Sequence, residues 1–374
     1  MEPLKVIISG GGTGGHIFPA LSIANAVKAK RPDTDILFVG AENRMEMQRV
    51  PAAGYPIKGL PISGFDRKHL LKNIVVLCRL AKSQRMAKKI IRTFRPDVAV
   101  GVGGYASGPT LKMAGACGIP TLLQEQNSYA GVTNKLLAKK ASLICVAYEG
   151  LERFFPAEKI KLTGNPVRQG LLENRMSRDE AVTSYGFDPQ KPVVLIVGGS
   201  LGARSVNESI LAHLDAIRQS DVQFIWQTGK YYFEEMKRRV GEERPKNLIV
   251  TDFIASMDVA YAAADLVVSR AGAGSISEFC LLGKAVVLVP SPNVAEDHQT
   301  KNAMALVNRG AAVFVKDVEA SEKLVPTALQ LVADAERLAD LRKNILAMAL
   351  PNSANIIADE VIRLAEEYRA KKKK

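Results

Sequence analysis

Val6-Ile7-Ile8-Ser9 runs into Gly10-Gly11-Gly12-Thr13-Gly14-Gly15-His16 and then into Pro19-Ala20-Leu21-Ser22-Ile23-Ala24. A β-branched run that breaks into glycines and resumes as an apolar-periodic stretch predicts strand, tight loop and helix. At that junction the first N–H groups of the helix lack intrahelical partners, and the helix dipole adds positive potential. Five glycines in residues 10–15 exceed what a turn needs. They let a ligand approach the main chain, and a phosphate or a sugar oxygen is the chemistry that suits it. His16 is the only titratable side chain of the loop, which makes it the first candidate for proton transfer.

Working outward, short β-rich runs alternate with helical ones. Strands are expected at 4–9, 35–39, 98–102, 121–123 and 143–146, with weaker ones at 57–60 and 160–162; helices are expected at 20–29 and 70–94. Such alternation implies a parallel sheet covered on both faces, with ligands bound beyond the carboxyl ends of the strands. A second loop, Gly103-Gly104-Tyr105-Ala106-Ser107-Gly108-Pro109, falls at such an end. After the turn cluster Gly164-Asn165-Pro166-Val167-Arg168 the rhythm restarts. A strand at 193–197 leads into Gly198-Gly199-Ser200-Leu201-Gly202-Ala203, and strands follow at 223–226, 248–250, 266–269, 286–289 and 312–315. The expected fold is α/β: two Rossmann-like, doubly wound parallel-sheet domains, 1–165 and 166–350, facing each other across a cleft. An amphipathic helix at 352–369 is expected to pack back on the first domain.

The totals agree with this division. A chain of 374 residues is long for one domain, and 47% hydrophobic with 24% charged residues is the composition of a globular protein. Neither a leader nor an apolar run of membrane-spanning length is visible. Four scattered cysteines without metal-ligand spacing point to a reducing compartment. Of the net charge of +13, residues 1–168 carry +14, from 25 Lys and Arg against 11 Asp and Glu. One face of the first domain therefore meets something anionic, a nucleic acid or an acidic membrane. A nucleic-acid binder would also need a recognised motif or an aromatic stacking platform, and the chain has neither.

Gly10-x-Gly12-x-x-Gly15 also satisfies the dinucleotide fingerprint, with Glu42 slightly late for the ribose, so an NAD-type oxidoreductase is the competing enzyme reading. Against it stands a better-developed nucleotide pocket in the second half, Arg270-Ala271-Gly272-Ala273-Gly274-Ser275-Ile276-Ser277-Glu278. This run follows a strand and opens a helix, so its N–H groups can take a diphosphate. Glu278 can accept the hydroxyls of a ribose; alternatively it only compensates the helix dipole.

These segments, with Glu125-Gln126-Asn127 and Asp297-His298-Gln299-Thr300-Lys301-Asn302-Ala303, occur in an order that resembles the MurG family of peptidoglycan N-acetylglucosaminyltransferases, which have the GT-B fold. The resemblance runs from about residue 5 to residue 360. It implies inverting transfer of GlcNAc from UDP-GlcNAc to the MurNAc 4-hydroxyl of lipid I, giving lipid II. No cofactor is expected, and main-chain stabilisation of the diphosphate requires no metal; the one Asp-x-Asp, Asp33-Thr34-Asp35, precedes strand two at the wrong end of the sheet. The resemblance further implies donor contacts from Thr13, Gly14, Gly15, Asn127, Arg168, Ser200, Ile254 (through its main chain), Ala273, Gly274, Ser275, Ile276, Ser277, Glu278 and Gln299. The family commonly has His before Glu-Gln-Asn, where this chain has Gln124, so a catalytic role does not carry over to that position. His16 is expected either to act as the base or to position the acceptor's diphosphate, with Glu125 and Tyr105 in reserve.

A lipid-linked acceptor gives the basic half a use. From Arg67 to Arg95 there are ten Lys and Arg and no acid. Basic flanks around an apolar patch suit a helix lying on an anionic membrane. Leu70, Leu71, Ile74, Val75, Arg79 and Lys82 are the expected contacts, with Ile90, Ile91 and Phe94 in the core. The implied location is the cytoplasmic face of the bacterial inner membrane, held peripherally on its anionic leaflet, beside other wall-synthesis proteins.

Overall fold

The computed structural model describes residues 2–64, 73–167, 170–173, 176–199 and 201–373. The chain divides into two compact units, Met1–Arg168 with Leu350–Lys374, and Gln169–Ala349.

The first unit is built on a sheet of β1 (Lys5–Ser9), β2 (Asp35–Ala41), β3 (Ile57–Leu60), β4 (Val98–Gly101), β5 (Thr121–Glu125), β6 (Leu143–Val146) and β7 (Ile160–Leu162), in the order β3-β2-β1-β4-β5-β6-β7. Every pairing is parallel. Ile7 lies opposite Leu37 on one side and Ala99 on the other. Neighbouring residues of β1 enter opposite cores, as the two-residue period of a strand requires. Val6 and Ile8 pack with Ile23, Val27, Ile357 and Val361, and Ile7 with Ala87, Ile91 and Leu111. Burial on both faces is why the strands are continuous apolar runs.

The first helix is Gly14–Lys30, beginning at Gly14 rather than at residue 20. The N–H groups of His16 and Ile17 both reach the Thr13 carbonyl (3.1 and 3.2 Å), so the helix winds up directly on the glycines. Pro19, in the second turn, cannot donate the hydrogen bond that a helical residue normally makes to the carbonyl four residues earlier. The last helix, Ser353–Lys373, continues beyond residue 369 and buries Ile357, Val361 and Ala365 against the first unit. Its ion pairs to the first helix and the turn after it, Lys30–Asp359 at 2.7 Å and Arg31–Glu366 at 2.6 Å, are solvent-exposed. They contribute about 0–1 kcal/mol each, so apolar burial holds the helix in place.

The second unit repeats the plan with β8 (Val193–Val197), β9 (Gln223–Gln227), β10 (Leu248–Thr251), β11 (Leu266–Ser269), β12 (Ala285–Leu288) and β13 (Val313–Phe314), in the order β10-β9-β8-β11-β12-β13. Its pairings are likewise parallel. Trp226 is fully buried, and its indole N–H donates to Asn207 Oδ1 at 3.0 Å. In each sheet the strand order reverses once, between β1 and β4 and between β8 and β11. In open sheets of this kind, ligands bind in a crevice at such reversals, beyond the carboxyl ends of the strands.

Candidate active site

In the first unit the crevice is bounded by the loops after β1 and β4, which meet backbone to backbone. Gly104 has a φ of +86°, and a Cβ there would overlap the Gly11 carbonyl. Gly103, with a φ of +91°, lies under the His16 imidazole: a Cβ would fall 2.7 Å from Cδ2 and 2.8 Å from Nε2. Ser107 fixes this second loop by donating to the carbonyls of Ser9 (2.6 Å) and Gly103 (3.0 Å).

His16 Nδ1 lies 3.1 Å from the Gly11 carbonyl and 3.4 Å from Thr13 Oγ1. A carbonyl oxygen can only accept, so Nδ1 carries the proton in the neutral ring and Nε2 the lone pair. Two residues earlier, the N–H groups of Gly14 and Gly15 stand in the first turn of the helix and face outward from its positive end. Tyr105 is half exposed, with its ring lying over Gly64.

The loop after β5 is held by Glu125. This carboxylate is buried and accepts four hydrogen bonds: from the Asn127 N–H (3.1 Å) and side-chain amide (3.2 Å), the Gly131 N–H (3.0 Å) and Asn134 Nδ2 (2.9 Å). Such a carboxylate clamps its loop. Gln124 is fully buried and donates to Asn165 Oδ1 at 3.0 Å, while Gln126 donates to the Val102 carbonyl at 2.8 Å. The loops after β4 and β5 and the segment around Asn165 are thereby joined.

In the second unit, the helix Ala273–Leu282 starts from Gly272 in extended conformation (φ −69°, ψ 137°), with no side chain capping its first turn. The first internal bond is from the Ile276 N–H to the Gly272 carbonyl (3.0 Å), which leaves the N–H groups of Ala273, Gly274 and Ser275 directed out of the helix. The Ile276 side chain belongs to the core, and Ser277 turns its hydroxyl back onto the Ala273 carbonyl (3.0 Å). One oxygen of Glu278 is fixed by the Tyr261 hydroxyl (3.0 Å), and that ring is set edge-on to Phe279.

The other walls come from three loops. Gly199 and Gly202 adopt left-handed conformations (φ +90° and +85°), and Gly202 lies against the Thr228 carbonyl too closely for a side chain. Gln227 ties this loop to the next, donating to the Gly199 carbonyl (3.1 Å) and accepting from the Ile254 N–H (3.2 Å). Gln299, at the start of the helix His298–Val307, accepts from the Ser291 N–H at 2.8 Å. Before it, Glu296 and Asp297 hold consecutive left-handed conformations (φ 56° and 51°). These cost about 1–3 kcal/mol each and mark a loop shaped by something other than local preference.

Two residues that sequence patterns did not single out, Glu46 and Gln227, organise these loops together with Arg270, which the sequence offered only as the start of the second glycine run. Glu46 accepts from the Gly12 and Ala41 N–H groups. Gln227 joins two loops as above. Arg270 donates to the carbonyls of Val289 (3.0 Å) and Pro290 (3.2 Å) and to Ser205 Oγ (3.2 Å), and pairs with Asp317. A forked guanidinium can hold several loop ends at once, and the position of Arg270 directly before the glycine run was the available signal.

On the helix Asn73–Phe94, Val75 and Leu77 are 53% and 54% exposed, with Arg79 and Lys82 also exposed beyond them. Ile91 is buried, and Ile90 and Phe94 pack against the same core. Leu70, Leu71, Arg168 and Ser200 lie outside the described residues, as does the side chain of Ile74. Among the described residues no helix is long and apolar enough to cross a membrane, and no group of three or more His, Cys, Asp or Glu is placed to hold a metal ion.

Residues 6–146 match the N-terminal domain of glycosyltransferase family 28, and residues 193–357 match its C-terminal domain. A relative from Bacteroides fragilis is 67% identical over 98% of this chain and 97% of its own length. One from Phocaeicola vulgatus is 66% identical over 98% of each. Both bear the name UDP-N-acetylglucosamine–N-acetylmuramyl-(pentapeptide) pyrophosphoryl-undecaprenol N-acetylglucosamine transferase. The crystal structure of Acinetobacter baumannii MurG superposes with a TM-score of 0.78 at 28% identity, covering 96% of this chain and 100% of that one, so the two units have the GT-B fold. With both family domains present and close relatives matching end to end, the chain belongs to the MurG branch of glycosyltransferase family 28.

Proposed function

We infer that this chain transfers GlcNAc from UDP-GlcNAc to the 4-hydroxyl of MurNAc in lipid I, forming lipid II in peptidoglycan synthesis. The observation that carries this is the end-to-end match at 67% identity to a transferase of that name. The two crevices supply chemistry of the required kind.

The donor's diphosphate is received by the N–H groups of Ala273, Gly274 and Ser275 and by the loop of Gly199, Ser200 and Gly202. Glu278 takes the ribose hydroxyls, the main chain at Ile254 meets the uracil, and Asn127, Gln299 and Arg168 read the sugar and its phosphate. Ile276 and Ser277 support this surface from within the helix. At the other crevice Thr13, Gly14 and Gly15 face the sugar end of the donor and the acceptor's diphosphate.

In the reaction His16 Nε2 accepts the proton of the 4-hydroxyl as that oxygen attacks the anomeric carbon from the face opposite the leaving group. The bond from the anomeric carbon to the β-phosphate oxygen breaks, its electron pair leaves with UDP, and the configuration inverts. Main-chain donors fixed in advance stabilise the charge developing on the diphosphate. Glu125, with four hydrogen bonds already accepted, serves by holding Asn127 in place, and Tyr105 borders the acceptor.

The acceptor's lipid tail stays in the bilayer, so the exposed Val75 and Leu77, with Arg79, Lys82 and the residues at 70, 71 and 74, rest on the anionic cytoplasmic leaflet. There the enzyme works peripherally alongside other wall-synthesis proteins. The test is a transfer assay with a lipid I analogue and either UDP-GlcNAc or UDP-galactose. Transfer is expected from UDP-GlcNAc with strong preference; absence of product, or equal use of both donors, would overturn the reading.

A further inference from the structure

Glu46 is fully buried in the half of the molecule that is otherwise basic. One carboxylate oxygen accepts from the Ala41 N–H at the end of β2 (3.0 Å), and the other from the Gly12 N–H in the first glycine loop (2.9 Å). The side chain also lies under the Cα atoms of Gly11 and Gly40, where any Cβ would collide with it. A buried carboxylate is costly unless its oxygens are hydrogen-bonded, and here the bonds come from two functional segments.

The place it occupies is informative. In a dinucleotide-binding sheet, an acid at the end of the second strand meets a ribose hydroxyl beside the glycine loop. Here the protein's own carboxylate bridges the strand end and the loop, so that region is filled from within. Gly12 turns its N–H inward, away from any ligand. With the Gly12 N–H committed to Glu46, the donors at the helical end of the loop, at Gly14 and Gly15, stand beside His16.

We propose that Glu46 is the positioning and specificity residue of the first glycine loop: it closes the nucleotide half of the crevice and sets the loop to present Gly14, Gly15 and His16 to the lipid-linked acceptor. This rests on the transferase reading above. It assigns Glu46 no contact with substrate; it acts through Gly12 and the backbone on which His16 Nδ1 rests.

The test uses the full-length chain with Glu46→Gln as the principal variant, because the amide keeps the shape but turns an NH2 group toward one of the two N–H donors. The expected result is a fall of about tenfold or more in kcat/KM for a lipid I analogue, the scale of losing one hydrogen bond to a charged acceptor. The UDP affinity measured by calorimetry should stay within about twofold, because the donor's nucleotide is bound by the other unit. Glu46→Asp, which can reach one N–H at a time, should recover part of the acceptor kinetics. Unchanged acceptor kinetics in Glu46→Gln would overturn the proposal, as would a parallel loss of UDP affinity and acceptor turnover. Should Glu46→Ala not fold, the Gln and Asp variants still decide. A wild-type enzyme without transferase activity would instead overturn the functional reading, so the two failures are distinct.

Discussion

The His16 imidazole rests on the Cα of Gly103, with Cδ2 and Nε2 at 2.7 and 2.8 Å from where a Cβ would stand. The first glycine loop supplies the ring, and the second supplies the floor beneath it. Gly103 is also left-handed at φ +91°, so Gly103→Ala meets two obstacles, backbone strain of about 1–2 kcal/mol and a methyl group inside the ring's contact distance. The ring must move. Turnover should fall by about tenfold or more while UDP binding by calorimetry is retained, since proton transfer depends on ångström-scale placement. Normal turnover would show that the ring's seat on Gly103 is immaterial.

Removing the ring tests its role directly. With Nδ1 donating to the Gly11 carbonyl, Nε2 is the atom able to take a proton. His16→Ala should lower kcat by about 10²–10⁴-fold, the range for a general base, with UDP-GlcNAc affinity little changed. If acceptor KM rises while kcat holds, the ring positions the acceptor's diphosphate and takes no proton.

Glu278 has two readings that a modified ligand can separate. As a ribose acceptor held by Tyr261 at 3.0 Å, it discriminates UDP from 2′,3′-dideoxy-UDP. Glu278→Ala should weaken UDP about tenfold and leave the dideoxy analogue unaffected, because a hydroxyl loses its partner only where it exists. Equal weakening of both ligands would assign Glu278 to the helix dipole.

The fold was legible because both faces of each sheet are covered, so strands such as Val193–Val197 are unbroken apolar runs and the glycines mark where each one ends. The ends of helices were less so. Residues 14–18 carry no apolar period of their own, and it is the Thr13 carbonyl, taking two N–H groups, that starts the helix there. The loops of the candidate site were legible where they need a left-handed backbone, as at Gly103 and Gly202, since only glycine supplies it freely. It was not legible where a side chain acts across the chain. Glu46 reads as an ordinary acid in the first turn of the short helix Glu46–Ala52, and nothing local links it to Gly12. Glu125 shows the converse: its motif was plain, but only the four donors around it reveal a clamp.

Away from the site, Lys284 makes a prediction about pH. Burial, reinforced by Arg342 and Arg178 and opposed by Asp265, lowers it from 10.5 to about 8, while its ammonium donates to the Ala264 carbonyl at 3.0 Å. Between about pH 8 and 10.5 the unfolded chain holds a proton that the folded chain has released, so this group adds stability as pH rises through that window. Below it both states are protonated and the full cost of burial remains, on the order of 3 kcal/mol. Lys284→Met should therefore show its largest gain relative to wild type near pH 7, reduced by the lost hydrogen bond, and the gain should shrink toward about pH 10. Urea unfolding of both proteins gives this difference, in which the opposite alkaline slope of the buried Cys280 thiol, pushed up to about 12, cancels. A difference independent of pH would refute the assignment.

Val75 and Leu77 test the membrane surface, because their exposure of 53% and 54% contrasts with the 7% of Val76 between them. At about 100° per residue, Val75 and Leu77 emerge on the two flanks of buried Val76, and Val75 shares its side with exposed Arg79 and Lys82, four and seven residues on. Apolar insertion and attraction to anionic lipid add, the latter at about 1 kcal/mol per basic residue near the surface. Val75→Ser with Leu77→Ser should remove part of the insertion and leave the charge, so binding to vesicles containing anionic lipid should fall by about tenfold and become more sensitive to salt. Turnover of a short-chain, soluble acceptor should not change, because neither residue lies in the loops that carry His16 or the nucleotide site. Undiminished sedimentation of the double variant with anionic vesicles would place the membrane contact elsewhere, whereas equal loss with the soluble acceptor would mean that these residues serve the fold.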